Sequence, residues 1–217
     1  MTQLWHRFLT ALTPGVRVLL AVLTAFYLAA LAGNLAGTVN LYQWLSVDAT
    51  DCWHGQIWRI FTYALLPAGP ACFLLNGLAL ALVGPLLERH WRRSELWLFC
   101  TVSVAGAGLT HVFLPDGQGP MVGAGAMAFA VLVAWGFIAS HEVVVVPLFG
   151  QMPERQLAWL FVIASIVLCF LAAGLIATLE MLSAGVIGWL YLWLRRKWLM
   201  TRSSNTFQSE RIHRLEL

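Results

Sequence analysis

The sequence predicts an all-α integral membrane protein of six transmembrane helices. Three observations predict it. Of 217 residues, 60% are hydrophobic and only 11% charged, against roughly 25% charged in a soluble domain. A chain this short still needs a polar surface in water, so its solvent must be lipid. Six apolar runs approach the ~20 residues that a bilayer crossing needs. With six crossings, nearly all the basic residues fall on one side, as the positive-inside rule requires.

The runs cover residues 16–39, 62–87, 96–114, 121–139, 156–175 and 178–198. Breakers fall between them or near their ends: Pro67-Ala68-Gly69-Pro70 near the start of the second, Pro115-Asp116-Gly117 before the fourth, Pro147 and Pro153 before the fifth. Arg7 and Arg17 precede or open the first span. Arg89, Arg92 and Arg93 follow the second, Arg155 lies between the fourth and fifth, and Arg195, Arg196, Lys197, Arg202, Arg211 and Arg214 end or follow the sixth. Only Arg59 falls on the other side. Residues 1–15 then form a cytoplasmic N-terminal segment, 16–198 the membrane domain and 199–217 a cytoplasmic tail, polar and mixed in charge, either disordered or a short surface helix. The start of the chain is amphipathic and unlike a cleaved signal. The expected location is a bacterial inner membrane with both termini cytoplasmic.

The loop between the first two spans is rich in Leu41, Tyr42, Trp44, Leu45, Trp53, Ile57, Trp58 and Ile60, so it is expected to lie in the interface. Trp91, Trp97, Trp189, Trp193 and Trp198 read as interfacial anchors. Cys52, Cys72, Cys100 and Cys169 show no metal or redox spacing, and read as small buried hydrophobes. No basic stripe with interleaved aromatics suggests nucleic acid. No cofactor or metal is expected. Cys52 and His54 with His111 make a weak metal set, and no paired helical histidines suggest haem or chlorophyll.

The motifs resemble one family. Gly55 to Tyr63, with Trp58-Arg59 at its centre, resembles the Trp-Arg motif in the first loop of rhomboid intramembrane proteases. Asn76 followed by Gly84 and Glu88 resembles the rhomboid second span. Gly123-Ala124-Gly125-Ala126 sits where rhomboids carry Gly-x-Ser-Gly, and Ala184, Gly185 and Gly188 resemble the small-residue helix that packs on the serine-bearing one. The resemblance implies a six-helix rhomboid-like bundle, but the reactive groups are missing. The nucleophile position reads Gly125, the histidine position Met181 and an oxyanion-binding histidine position Cys72; only Asn76 is retained. Glycine supplies no nucleophile and methionine no basic nitrogen. There is no serine between Ser103 and Ser140 and no histidine between His141 and His213.

What stays is packing: Gly123 and Gly125 are expected to meet the small face of Ala184, Gly185 and Gly188. Asn76 reads as a structural hydrogen bond to neighbouring backbone in preference to a site residue. Glu88 reads as a helix-end ion pair or backbone acceptor, and Glu180 as a carboxylate complementing a helix start in preference to lining a cavity. A relocated dyad of Ser183 and His111 has nothing in the spacing to recommend it. The expectation is therefore a pseudoprotease that binds transmembrane segments of client proteins at a lateral opening between the second and fifth spans, with Phe73, Leu80, Leu157 and Leu168 facing lipid or client. The alternatives are a subunit of a larger membrane complex and a serine protease with an atypical site.

Overall fold

The computed structural model describes residues 12–37, 40–114, 119–140, 143–146 and 150–215. The amphipathic opening of the chain with Arg7, the Pro115-Asp116-Gly117 break and Pro147 lie outside them, and the tail is described as backbone only. In chain order the elements are α1 (Pro14–Ala36), α2 (Leu41–Leu45), α3 (Ala49–Trp53), α4 (Arg59–Thr62), a 3-10 turn (Tyr63–Leu65), α5 (Pro70–His90), α6 (Arg93–Phe113), α7 (Gly125–Ile138), strands β1 (Val143–Val146) and β2 (Gly150–Pro153), and α8 (Glu154–Leu215).

Four helices are long and apolar enough to cross a membrane: α1, α5, α6 and the stretch Glu154–Trp198 of α8. Helix α7 has 14 residues, about 21 Å at 1.5 Å per residue, short of a ~30 Å hydrocarbon layer. Eleven of the 14 are buried. It is apolar on every side because protein, not lipid, surrounds it.

The expected second span begins late. Residues 59–65 form α4 and the 3-10 turn, and α5 starts only at Pro70. Pro67 and Pro70 lack the amide that a continuous helix would need, and Gly69 takes φ 152° between them. The loop before them is a layer of short helices, mostly exposed at Trp44, Trp53, Ile57 and Trp58. The expected fourth span loses its first turn, because Met121 pairs with Val47 as an isolated bridge. The connection to α8 is an antiparallel hairpin, Val143 opposite Pro153 and Val146 opposite Gly150; four consecutive valines favour a strand there. The tail is neither disordered nor a separate helix: α8 continues to Leu215.

Helix α8 is interrupted at Gly174, where φ is 84° and ψ −172°. Its two arms run between the same two ends of the bundle. Glu154 binds Trp135 and Ser140 at the end of α7, Glu180 binds His111 at the end of α6, and Arg195 returns to Glu95 at the start of α6. Glu88 at the end of α5 holds the start of α1. Arg17, Arg89, Arg92, Arg93, Arg155, Arg195, Arg196 and Lys197 therefore gather at one end, and Arg59 lies at the other. Trp91, expected at the interface, is 6% exposed, tilted against Phe99 and beneath the Arg195 guanidinium. Trp189, Trp193 and Trp198 are exposed.

Small residues set the closest approaches. A Cβ on Gly84 would meet Val16 Cγ2 at 2.8 Å, on Gly185 Phe129 Cε1 at 2.6 Å and on Gly188 Phe99 Cζ at 3.1 Å. The small face of α8 is thus filled by large side chains of α7 and α6, whereas Gly123 meets Ala68 and Gly125 meets Asn76. The expected contact between the two glycine sets does not form, because the first turn of α7 faces α5 and its next turns face α8. Gly106 and Gly108 of α6 differ in kind. A Cβ on Gly106 would press on the tip of Ile187; on Gly108 it would lie 2.7 Å from the backbone oxygen of Ile60. A side-chain tip can rotate away and a backbone cannot. Gly108→Ala should therefore destabilise by about 1–3 kcal/mol and Gly106→Ala by clearly less, measured as unfolding in detergent. Equal losses would refute the assignment of α4 as a fixed wall.

Candidate functional site

The motif residues Gly125 and Asn76 meet where α7 begins. Gly123 adopts φ 119°, a conformation that favours glycine, and its amide donates to the Tyr63 carbonyl at 3.0 Å. One residue beyond Ala124, Gly125 opens α7, and a Cβ there would have a single neighbour within 4 Å: Nδ2 of Asn76, at 3.9 Å. The structure brings Asn76 and Gly125 together as the motifs suggest. Met181 is 8% exposed within the core, and nothing of it comes within 4 Å of the Gly125 Cβ position. Cys72 is exposed on the first turn of α5, where the expectation was a buried hydrophobe.

The niche beside Asn76, walled by Leu23, Pro67, Phe73 and Ala124, holds about 10 Å³, room for about one water. A peptide carbonyl has no place there. Asn76 makes no hydrogen bond among the described residues, so the expected bond to neighbouring backbone is not formed. Phe73 closes the niche by stacking on Tyr27, with centroids 4.4 Å apart.

The polar chemistry lies one layer outward. Glu180 accepts from Nδ1 of His111 at 2.7 Å, with both side chains under 10% exposed. Glu180 is therefore not a helix-start carboxylate: it sits six residues past the Gly174 break and faces α6. Neither was expected to partner the other. The signal was present, because an intramembrane carboxylate needs a partner and His111 is at matching depth. Ser183 turns its hydroxyl to the Glu180 carbonyl at 2.6 Å, away from the ring, so the dyad once weighed for Ser183 and His111 is not assembled. Tyr63, fully buried, donates to the Val104 carbonyl at 3.0 Å beside this pair. His54 Nδ1 is bonded to the Thr50 carbonyl. Burial pushes the Cys52 thiol above its ordinary range, which disfavours the thiolate that a metal would need. Among the described residues no three His, Cys, Asp or Glu side chains gather as a metal set.

Two further motif residues are structural ties. The Arg59 guanidinium, 4% exposed, donates to the Gln43 and Ser46 carbonyls at 2.6 and 2.9 Å, to Gln56 at 2.8 Å, and pairs with Asp51 at 3.1 Å. It fixes α2, α3 and α4 as one plate, while its neighbour Trp58 is exposed. Glu88 accepts from the amides of Gly15 and Val16 at 2.8 and 3.0 Å and from the Thr13 hydroxyl, with Arg93 at 3.7 Å. It caps α1 from another helix, at the end where the dipole favours a negative charge. Glu154, which the motifs did not single out, does the same work between α7 and α8.

The lateral side is open. Helix α5 packs on α7, α1 and α6 but hardly touches α8. Leu74, Leu75, Leu78 and Leu82 stand exposed on one lip, Val167, Leu168 and Leu171 on the other. Of the four side chains expected there only Leu168 faces out. Leu80 and Leu157 are 1% and 8% exposed: each lies on the inner face of its helix, against the core.

The chain belongs to the family described as Eukaryotic integral membrane protein (DUF1751), whose model matches residues 17–208. No curated protein matches it. The family overturns the expected bacterial inner membrane: hydropathy and charge asymmetry report a bilayer, but not which organism's.

The buried pair predicts a thermodynamic cycle. His111→Ala strands a buried carboxylate and should cost about 3–5 kcal/mol, whereas His111→Ala with Glu180→Leu should recover most of that loss. Unfolding of the three proteins in detergent measures it; additive losses would show that the two groups do not interact. Arg59→Lys keeps the charge but not the fork. It should expose the loop to a protease added on that face, with Trp58→Phe as the unaffected control.

Proposed function

We propose that this member of the family is a rhomboid-like membrane protein without protease chemistry, which binds transmembrane segments of other proteins and releases them uncut. The observation that carries the reading is the closed niche at Gly125 and Asn76 beside an open lateral lip. Where a nucleophile and base would act there is space for one water, and where a helix from another protein would approach, α5 and α8 leave apolar side chains unpaired. Six crossings fit this reading. Each arm of α8 is long enough to traverse the bilayer, and α7 reaches most of the way inside a sleeve of other helices. Glu88, Arg59 and the glycines of α8 support it as scaffold: they hold helices together and touch no reacting atom.

A second reading, a dedicated subunit of a larger membrane complex, uses the same lip for one permanent partner. Gentle affinity purification with quantitative mass spectrometry separates the two. Many substoichiometric partners with single apolar spans are expected; one partner at fixed stoichiometry would replace the first reading with the second. Introducing Leu75→Arg and Leu78→Arg on the α5 lip should reduce client recovery about tenfold or more, since each charge costs about 2.5–3.5 kcal/mol in hydrocarbon, while circular dichroism stays unchanged. An atypical protease makes a different prediction. Fluorophosphonate labelling that disappears on Ser183→Ala would overturn the non-enzymatic reading, and no labelling is expected.

A further inference from the structure

A groove of about 500 Å³ lies on the outer face of α8 where the hairpin joins it, lined by Met152, Arg155, Gln156, Trp159, Leu160 and Ile163 among others. Its volume is in the range of small-molecule sites. It is separate from the niche at Asn76 and from the lip between α5 and α8. Its chemistry changes along its length. Arg155 and Gln156 stand at the basic end of the bundle, both exposed. Below them Trp159, Leu160 and Ile163 continue the same helical face at one-turn intervals. From Arg155 to Ile163 the helix rises about 12 Å, most of the depth of one leaflet.

We infer that this groove binds one anionic phospholipid, its phosphate on Arg155 and Gln156 and its acyl chain along Trp159, Leu160 and Ile163. Charge decides the occupant. Arg155 makes no ion pair among the described residues. The adjacent carboxylate, Glu154, is taken by the Trp135 indole at 2.9 Å and the Ser140 hydroxyl at 2.7 Å. A guanidinium at headgroup level above an apolar channel is complementary to a phosphate above a hydrocarbon chain. The channel wall is also built in advance. Trp159 seats in the notch left by Gly136, whose Cβ would lie 3.2 Å from the indole, and meets Phe137 edge to face at 5.3 Å. Its ring cannot swing to close the groove without losing both contacts. A zwitterionic lipid fills the channel equally well but carries a compensating cation in its headgroup, so the guanidinium selects against it.

Native mass spectrometry of the full chain, delipidated in detergent and titrated with dioleoyl phosphatidylserine or dioleoyl phosphatidylcholine, tests this. One saturable phosphatidylserine per protein is expected, bound more tightly than phosphatidylcholine. Arg155→Gln should weaken phosphatidylserine about fivefold and phosphatidylcholine clearly less. Ile163→Trp, which fills the channel at a position 58% exposed, should reduce both. Arg196→Gln, a basic residue at the same end but outside the groove, should change neither. Equal affinity for the two lipids, or equal losses from Arg155→Gln and Arg196→Gln, would overturn the assignment: the attraction would then belong to the basic end as a whole.

Discussion

In hydrocarbon, one apolar helix face attracts another no more strongly than it attracts lipid. Helix register must therefore come from polar groups and from close contacts at small residues. Glu88 is the clearest instance. It closes the start of α1, a sparsely embedded helix whose buried residues number only five of 23. Without that carboxylate the first amides of α1 would have no acceptor at a depth where water is scarce. Glu95 and Glu154 tie α6 to α8 and α8 to α7 by the same device. All three carboxylates stand at the basic end, so each neutralises charge as well as joining two helices.

The opposite end uses the reverse polarity. There one arginine, Arg59, gathers carbonyls and a carboxylate, and the plate it holds supplies Ile60 to the Gly108 notch and the Tyr63 carbonyl to Gly123. The niche beside Asn76 and the Arg59 plate are thus mechanically continuous. The wall of the niche at Gly123 is held from the plate, through its bond to the Tyr63 carbonyl. The buried His111 and Glu180 form a polar pair in the interior and join α6 to α8.

Much of this was legible in the sequence. The apolar runs, the one-sided basic residues and the Trp-Arg and Asn-Gly-Glu motifs located α1, α5, α6 and the two arms of α8, and placed Asn76 near Gly125. Charge asymmetry works because it depends on crossing count, not on packing. Packing itself was less visible. Which face of α5 or α8 turned inward was misjudged at Leu80 and Leu157, since helices apolar all round carry almost no periodic signal. The role of Glu180 was misread because its partner sits 69 residues away, beyond any local spacing. The valine hairpin was missed because breakers on both sides suggested only a loop. Ser103 stays unexplained: its hydroxyl is fully buried with no hydrogen-bond partner among the described residues.

Gly174 carries a structural consequence of its own. The two arms of α8 meet at one residue, with no intervening loop to take up slack. Each residue added or removed between Glu154 and Gly174 would turn the first arm by about 100° about its axis. That rotation would carry Ala158 and Val162 out of the core and Trp159 out of the Gly136 notch. The chain is therefore rigid in length across this corner, and only the hairpin before it and the tail after it can take up an added residue without turning an arm.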